Sequence, residues 1–421
     1  VPLAVELEPT VMSEAYDAVV IGGGPGGGSA ALALARAGWS VLLCERKAFP
    51  RRKVCGEYLS ATNLPLLDHL GLGGVFRERA GPEVSRVGLF AGAAVLEAPL
   101  PRPAGGGGWG RALGRETLDG LLLDQARAAG ARVVQPGAVV SLARHAGRWH
   151  GRFEGPGGVG AFDTAVVVAA HGSWDSGPLP TQCPRGAPRP GDLLGFKAHF
   201  RDSALPAGLM PLLAFPGGYG GMVHTDAGRV SISLCIRRDR LERVRGGSAA
   251  AAGEVVGGYV GESCEGVRRA LAGARLEGPW LATGPLRPGT RLRQPPGVFP
   301  VGNVAGEAHP AIAEGISMAL QSGWLLAGEL ERWRREGGRG ADLPAAAARY
   351  ARLWRRNFGP RLLAAAWLAR WATRPAAVRL TLPVLRLAPA ILTWGARASG
   401  KSWALGALGP AGGRRSAAAL V

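Results

Sequence analysis

A chain of 421 residues is too long for one small core and is expected to hold two closely joined domains with a helical tail. Its formal net charge of +19 ordinarily points to nucleic acid or an anionic surface, but lysine is rare, and arginine, alanine, glycine and proline are abundant together, as GC-rich codon usage alone produces. The five cysteines, Cys44, Cys55, Cys183, Cys235 and Cys264, are odd in number and include no C-x-x-C pair, so neither a disulfide framework nor a zinc site is indicated.

The first residues, VPLAVELEPT, carry acids in place of a basic segment followed by an apolar one, so no secretory signal is expected. No apolar run reaches the roughly 18 residues that a spanning helix needs, and a cytoplasmic, reducing setting is the expectation. The stretch from Tyr16 to Glu45, YDAVVIGGGPGGGSAALALARAGWSVLLCE, then sets out the parts of a nucleotide-binding β-α-β unit. Ala18 to Ile21 is a short apolar run suited to a strand buried on both faces. Gly22, Gly24 and Gly27 occupy the fixed positions of G-x-G-x-x-G, for a tight turn, an approach of backbone to pyrophosphate, and a close helix. The following segment to Ala37 is good helix material with Gly38 as its stop, and its N-terminus suits an anion. Val41 to Cys44 predicts the second strand, and Glu45 at its end can accept hydrogen bonds from both ribose hydroxyls, as FAD or NAD requires; it would repel the 2'-phosphate of NADP.

Residues 46–60, RKAFPRRKVCGEYLS, predict a basic loop in which Arg51, Arg52 and Lys53 surround Cys55, a setting that lowers a thiol's pKa; a buried structural cysteine is the plainer reading. Segments between 84 and 108 are short and end in Gly105 to Gly108, a flexible connection. Leu113 to Gly130 has helical leucine spacing, with Arg115 at the start, where either a bound anion or a salt bridge with Glu116 or Asp119 offsets the unfavourable dipole. Arg132 to Gln135 predicts a further parallel strand, and Phe162 to Ala170 a buried one leading to His171 and Gly172. From about 192 to 292 the pattern becomes strand-rich, and Val230, Ile232, Leu234 and Ile236 alternate as in an antiparallel sheet with one dry and one wet face. Gly297 to Val301 returns as a strand, and a glycine-rich turn then runs into a long apolar helix.

Four separated pieces resemble the FAD-dependent oxidoreductases of the p-hydroxybenzoate hydroxylase superfamily, and within it the geranylgeranyl reductase branch. They are the β-α-β unit ending in Glu45, the loop KVCGEYLS that is similar to the branch's K-x-C-G loop beside the flavin, the helix start at Arg115, and Gly302 to Gly315, similar to G-D-A-A-G-x-x-x-P-x-x-G-x-G-I. The resemblance implies an α/β fold: a Rossmann-like FAD-binding domain (14–80, 109–190 and 293–342), an inserted antiparallel-sheet substrate domain (81–108 and 191–292) and a basic helical C-terminal region (343–421). It implies that Gly22, Gly24, Gly27, Glu45, Arg46, Lys53, Gly56, Arg115, Gly302, Asn303, Pro310 and Gly315 hold FAD, that Cys55 is catalytic, and that NAD(P)H is a transient electron donor. The chain departs from the pattern at Asn303, where the family has Asp, and at His171-Gly172, where many hydroxylases have Asp-Gly. After Pro216, Gly217, Gly218 and Tyr219, the residues Gly221, Val223 and His224 lack the aromatic signature of the prenyl reductases, and the halogenase Trp-x-Trp is also missing.

The helix opening after Pro310, from Ala311 to Gly315, is expected to aim N–H groups at the flavin. Met222, Tyr219, Phe196, Phe200 and Leu213 are candidate linings of a lipophilic pocket, and His199 and His224 candidate acids or bases, for which a structural role is the plainer reading. Two reactions on a hydrophobic small molecule follow: reduction of a prenyl double bond, which the Cys55 loop favours, or hydroxylation of an aromatic or polyketide-like lipid, which the missing aromatics favour. A flavin-binding protein without turnover, suggested by Asn303 and His171, is the third. From Leu343 to Val421 there are 12 arginines and Lys401 but no acid, together with Trp354, Trp367, Trp371, Trp394 and Trp403. That composition suits a helix lying in an anionic membrane interface or an arginine-rich cap on the FAD domain; no nucleic-acid motif or metal cluster accompanies it.

Overall fold

In the computed structural model, which describes residues 13–103, 108–172, 176–182 and 186–399, the first apolar run becomes strand β1 (Ser13–Ile21), followed by helix α1 (Pro25–Arg36) and strand β2 (Val41–Cys44), parallel to β1. The N-terminal decapeptide, Gly105 to Gly107, Cys183, Lys401 and Trp403 lie outside the described residues. Strands β3 (Arg86–Ala91) and β4 (Ala94–Pro99) form a hairpin in a second sheet. The chain then returns as helix α2 (Arg115–Ala128) and strand β5 (Arg132–Val134), which lies parallel to β2. Strands β6 (Ala138–His145) and β7 (Arg148–Gly155) pair antiparallel, and β7 hands on to the long β8 (Gly158–Ala169), which runs parallel beside β1. The first sheet thus reads β5-β2-β1-β8-β7-β6, with its parallel core in the apolar runs that lack alternation.

The second sheet takes strands β9 (Leu193–Arg201), β10 (Leu209–Phe215), β11 (Gly218–His224) and β12 (Val230–Arg237) in the order β9-β12-β11-β10-β3-β4. Val230, Ile232, Leu234 and Ile236 point, as expected, into an apolar core, which helices α3 (Ala252–Ser263) and α4 (Glu265–Ala270) complete with Val256, Val260 and Val267. The opposite face is not wet. Ser231 and Cys235 are buried there, and Tyr219, Leu89 and Ala214 beside them pack against C-terminal helices. Alternation of side chains marked the two faces correctly, but a second covering layer far along the chain removed the solvent from one of them. The same register corrects the pocket: Phe196, Leu213, Met222 and Phe200 all point into the helix-covered core, and only Tyr219 of the five faces the first domain.

Strand β13 (Val298–Pro300) adds to β8 in parallel and leads to helix α5 (Gly315–Arg335). The last described helices are α6 (Leu343–Ala372), α7 (Pro375–Leu387) and α8 (Ala390–Ala398). On α6, Tyr350, Trp354 and Phe358 recur every four residues and are buried in the core of the first domain. The Tyr350 hydroxyl donates to Pro300 O at 2.9 Å. Farther along the same helix, Ala369 and Ala372 join Val378 and Leu385 of α7 against the second sheet. The four described tryptophans of the basic region therefore do not share one role: Trp354 is buried, Trp371 donates to Thr381 Oγ1 at 3.0 Å, and Trp367 and Trp394 are exposed.

Trp354→Ala is expected to cost about 3–5 kcal/mol, because a large core side chain is removed from a site that cannot collapse. Trp367→Ala should stay within about 0.5 kcal/mol. Urea unfolding of both variants measures the contrast, and a similar loss in the two contradicts this placement of α6.

Candidate functional site

The glycine loop between β1 and α1 is built by steric exclusion. Gly22 has φ +110°, and a Cβ there would lie 2.5 Å from Ala170 O; a Cβ on Gly27 would meet Gly22 O at 1.9 Å. These two positions accept only glycine. A Cβ on Gly26 would lie 3.1 Å from the Gly302 nitrogen, so the α1 N-terminus abuts the second glycine turn, 276 residues on by sequence number. At Gly24 a side chain would meet nothing nearer than an Arg115 Nη at 3.6 Å, which leaves an open space before unpaired helical N–H groups. The structure brings Gly22, Gly24, Gly27, Arg115 and Gly302 together at this point. Glu45 is buried at its edge, accepting from Gly23 N–H at 2.8 Å and Lys47 N–H at 2.9 Å, one bond per oxygen. Each oxygen keeps a lone pair for a ribose hydroxyl, so the residues present fit the adenosine half of FAD.

Arg115, the first residue of α2, forms a fork with Asp119, at 2.7 and 2.6 Å. Of the two readings of this arginine, the local salt bridge is present, and its guanidinium still reaches the α1 N-terminus. Lys53 Nζ lies 3.8 Å from the same Asp119 and over the Phe49 ring. The basic neighbours expected for Cys55 are partly replaced: Arg52 turns away to Glu277 and Glu116, while Arg115 is the charge that acts on the Cys55 thiol. Glu57 N–H also approaches that sulfur, at 3.5 Å. The other described cysteines are unsuited to chemistry, since burial pushes the thiols of Cys44 and Cys235 up to about 12 and that of Cys264 to about 11. Gly56 is half-buried in the same loop, and Arg46 is exposed just after Glu45.

Below the loop is a group that the sequence reading missed. Glu57, at φ +61°, is fully buried and takes the Lys197 ammonium on Oε1 and His199 Nε2–H on Oε2 at 2.8 Å. Arg115 N–H adds a third donor at 3.3 Å. Lys197 and His199 stand two apart on β9 and so share the face that looks at the first domain. The signal was available: lysine is rare in this chain, and one falls inside a buried strand. His199 is thereby tied to a buried carboxylate, and His224 Nε2 lies 2.7 Å from Leu205 O.

The second turn holds Gly302 at φ +57°, with its N–H donated to Ser322 Oγ at 2.8 Å, and Asn303, whose carbonyl accepts from Arg291 at 3.0 Å. Helix α5 does not open at Pro310. Pro310–Ile312 is a single 3-10 turn, Ala313 is left-handed at φ +54°, and the long helix starts at Gly315. The interruption places His309 Nδ1 3.3 Å from the Tyr219 hydroxyl, a contact between the domains. Burial, with Arg370 nearby, lowers the His309 pKa, so this ring is neutral near pH 7. Glu314 is buried at the helix start, 3.5 Å from Arg361 of α6 and 3.2 Å from Ser60 Oγ. His171 follows the end of β8 and lies against the Gly22 turn.

Burial alone would raise the Glu57 carboxyl, but the hydrogen bond from His199 and the charge of Lys197 outweigh it and hold its pKa down to about 2. A depressed carboxylate contributes stability that is present above its unfolded value of about 4.3 and is lost as pH falls towards the folded one. Unfolding free energy should therefore drop by on the order of 3 kcal/mol between about pH 5 and pH 2 from this group. Glu57→Gln should remove that part of the acid dependence and cost about 3–5 kcal/mol at neutral pH. Urea titrations across the pH range compare the two slopes; an unchanged slope in the variant refutes the assignment.

Residues 15–176 match the family described as FAD binding domain. The menaquinone reductase of Mycobacterium tuberculosis is 33% identical over 132 residues, 31% of each chain. Digeranylgeranylglycerophospholipid reductase 2 of Methanopyrus kandleri is 29% identical over 54% of this chain and 56% of its own. The chain thus aligns with about a third to about half of the length of these curated relatives. Among solved structures, the myxobacterial chondrochloren halogenase CndH superposes with a TM-score of 0.73 at 21% identity, covering 92% of this chain and 91% of its own. A geranylgeranyl bacteriochlorophyll reductase-like protein from Thermoplasma acidophilum has a TM-score of 0.68 at 18% identity, over 90% and 99%. Residues 15–176 thus match an FAD-binding domain, the glycine turns and Glu45 meet within that segment and its Gly302 neighbour, and the chain shares its fold with the solved structures named above.

Proposed function

We propose that this protein is an FAD-dependent reductase of a carbon–carbon double bond in a prenyl or related lipid chain. The observation that carries the reading is the Cys55 sulfur, half-buried in its loop, approached by Glu57 N–H at 3.5 Å and by the charge of Arg115. Both relatives named above are called reductases, of menaquinone and of a digeranylgeranylglycerophospholipid. Reduction adds a hydride to one carbon and a proton to the other, and FAD, once reduced, supplies the hydride. Cys55 Sγ–H gives up the proton: the S–H bond breaks as the C–H bond forms, and the electron pair stays on sulfur. Arg115 and Glu57 N–H stabilise that thiolate until water reprotonates it. The face of the second sheet that looks at this loop is apolar, with Leu89, Leu212, Ala214 and Tyr219 under the C-terminal helices that cover it. NAD(P)H is the proposed electron donor and binds transiently, since the sequence has no second strand-linked G-x-G-x-x-G.

A specific observation supports a second reading. Gly221 and Val223 of β11 put little bulk on the flavin-side face where the prenyl reductases carry aromatics, which leaves room for a ring-shaped substrate hydroxylated with O2.

The purified protein should be yellow with non-covalent FAD, and Glu45→Arg should lower its flavin content; tight flavin in that variant contradicts the cofactor geometry. Cys55→Ala should cut reductive turnover by about a hundredfold or more while flavin content stays near that of the parent. Incubation under labelled O2 separates the two reactions: label in the product of the parent enzyme overturns the reductase reading, and its absence with NAD(P)H consumption supports it.

A further inference from the structure

Eleven large apolar side chains are exposed among the described residues, and seven fall on the last three helices: Leu363 and Trp367 on α6, Leu380, Val384 and Leu387 on α7, and Ile391 and Trp394 on α8. Their spacings, four on α6, four and three on α7, three on α8, put each set on one helical face. The inner faces of the same helices, through Ala369, Ala372, Val378, Leu385, Leu392 and Ala396, pack on one side of the second sheet. Three helices with their backs to a common sheet turn their outer faces the same way. Trp371 to Thr381 ties α6 to α7, and Thr393 Oγ1 to Pro99 O at 2.7 Å fixes α8 to the sheet edge. Leu387 at 88% exposure and Leu380 at 79% are far more open than a core-facing surface helix requires.

From Leu343 onward the charges are of one sign. Several surface arginines elsewhere are matched, Arg77 with Asp68, Arg86 with Glu97, Arg237 with Asp239 and Arg275 with Asp202, whereas Arg79, Arg144 and Arg245 are exposed singly and apart from one another in sequence. Arg370, Arg374, Arg379, Arg386 and Arg397 are exposed, and among the described residues none has an ion-pair partner. On α7, Arg379 and Arg386 are seven apart and flank the Leu380, Val384 and Leu387 face, the placement that lets guanidinium groups reach phosphate while the leucines enter the acyl boundary. No single described helix is long and apolar enough to cross a membrane. A second copy is a poor occupant, since it brings unpaired arginines against unpaired arginines.

We propose that the outer face of α6, α7 and α8 docks on an anionic phospholipid bilayer, with Trp367, Leu380, Leu387 and Trp394 in the interface and the five arginines on lipid phosphates. Docking needs nothing from the catalytic reading. That the inner faces of α7 and α8 roof the flavin-side surface of the second sheet, so that a lipid reaches the site from the bilayer, rests on that reading. Removing the whole region at Asp342 is not a usable test, because Trp354 and Phe358 would leave the core with it. Exposed point substitutions are. Full-length protein is floated with phosphatidylcholine vesicles with and without phosphatidylglycerol, at low and high salt. The parent should float with the anionic vesicles at low salt and stay behind otherwise. Arg379→Gln with Arg386→Gln and Arg397→Gln should lower the partition coefficient by about a hundredfold, at roughly fivefold per arginine. Leu380→Gln with Leu387→Gln and Trp394→Gln should abolish flotation with the flavin content unchanged. Equal flotation of parent and variants overturns the proposal, as does a parent that binds no vesicle, or one that dimerises in solution through the same leucines instead. Turnover on a short, water-soluble substrate reads the catalytic site separately and should be the same in all three proteins.

Discussion

The close approach of α1 to its surroundings is the constraint from which the site follows. A single β-carbon at Gly27 would collide with the end of β1, one at Gly26 would crowd the Gly302 turn, and one at Gly323 on α5 would lie 2.4 Å from Gly26 O. Ser29 Oγ reaches Leu320 O at 2.9 Å across the same seam. With these contacts made, α1 lies between the parallel sheet and α5, and its N-terminus has one possible exit, the space bounded by Glu45, Arg115 and Gly302. Each of those residues is remote in sequence from at least one of the others. Backbone packing at the glycines brings them to one locus whose donors and acceptors fit an anion and a ribose.

The second domain is fixed to this locus by buried charge. A carboxylate with no exposure is costly unless fully paired, and Glu57 is paired by Lys197 and His199, which come from a single strand of the other sheet. Apolar packing alone tolerates sliding by fractions of an ångström, whereas two donors two residues apart set one register between loop and strand. The bond from Ser233 Oγ to Cys55 O at 2.8 Å adds a second point on the neighbouring strand β12. Cys55 is therefore positioned from beneath, by the sheet that also presents the apolar surface opposite. The position of the thiol and the shape of that apolar surface are set by the same strands.

What the sequence made legible was local or had a fixed spacing. The glycines, Glu45, the helix at Arg115 and the buried strands follow from patterns a few residues long, and each lies where its spacing predicts. The partners of Cys55 were not legible, because Arg115 approaches from a separate helix and Glu57 is answered from a strand some 140 residues away. The wet face of the second sheet was misread for a related reason: alternation tells which residues share a face, not what covers it, and the cover comes from the far end of the chain. At Pro310 a proline suited to a helix start initiates a 3-10 turn instead, because Ala313 adopts φ +54° and breaks the path before Gly315.

The C-terminal helices resolve a conflict in composition that the sequence alone leaves open. A segment with many arginines and tryptophans and no acid reads either as a cap on the protein or as a surface for lipid, and these were posed as exclusive. The structure divides the roles along the helices and around them. Tyr350, Trp354 and Phe358 make the first half of α6 part of the core, while α7 is apolar on both sides, with Val378 and Leu385 turned to the sheet and Leu380, Val384 and Leu387 turned away. A cap needs only the inner set. The outer set adds no burial in the isolated chain, and together with the unpaired arginines it is the surface on which the proposed docking rests.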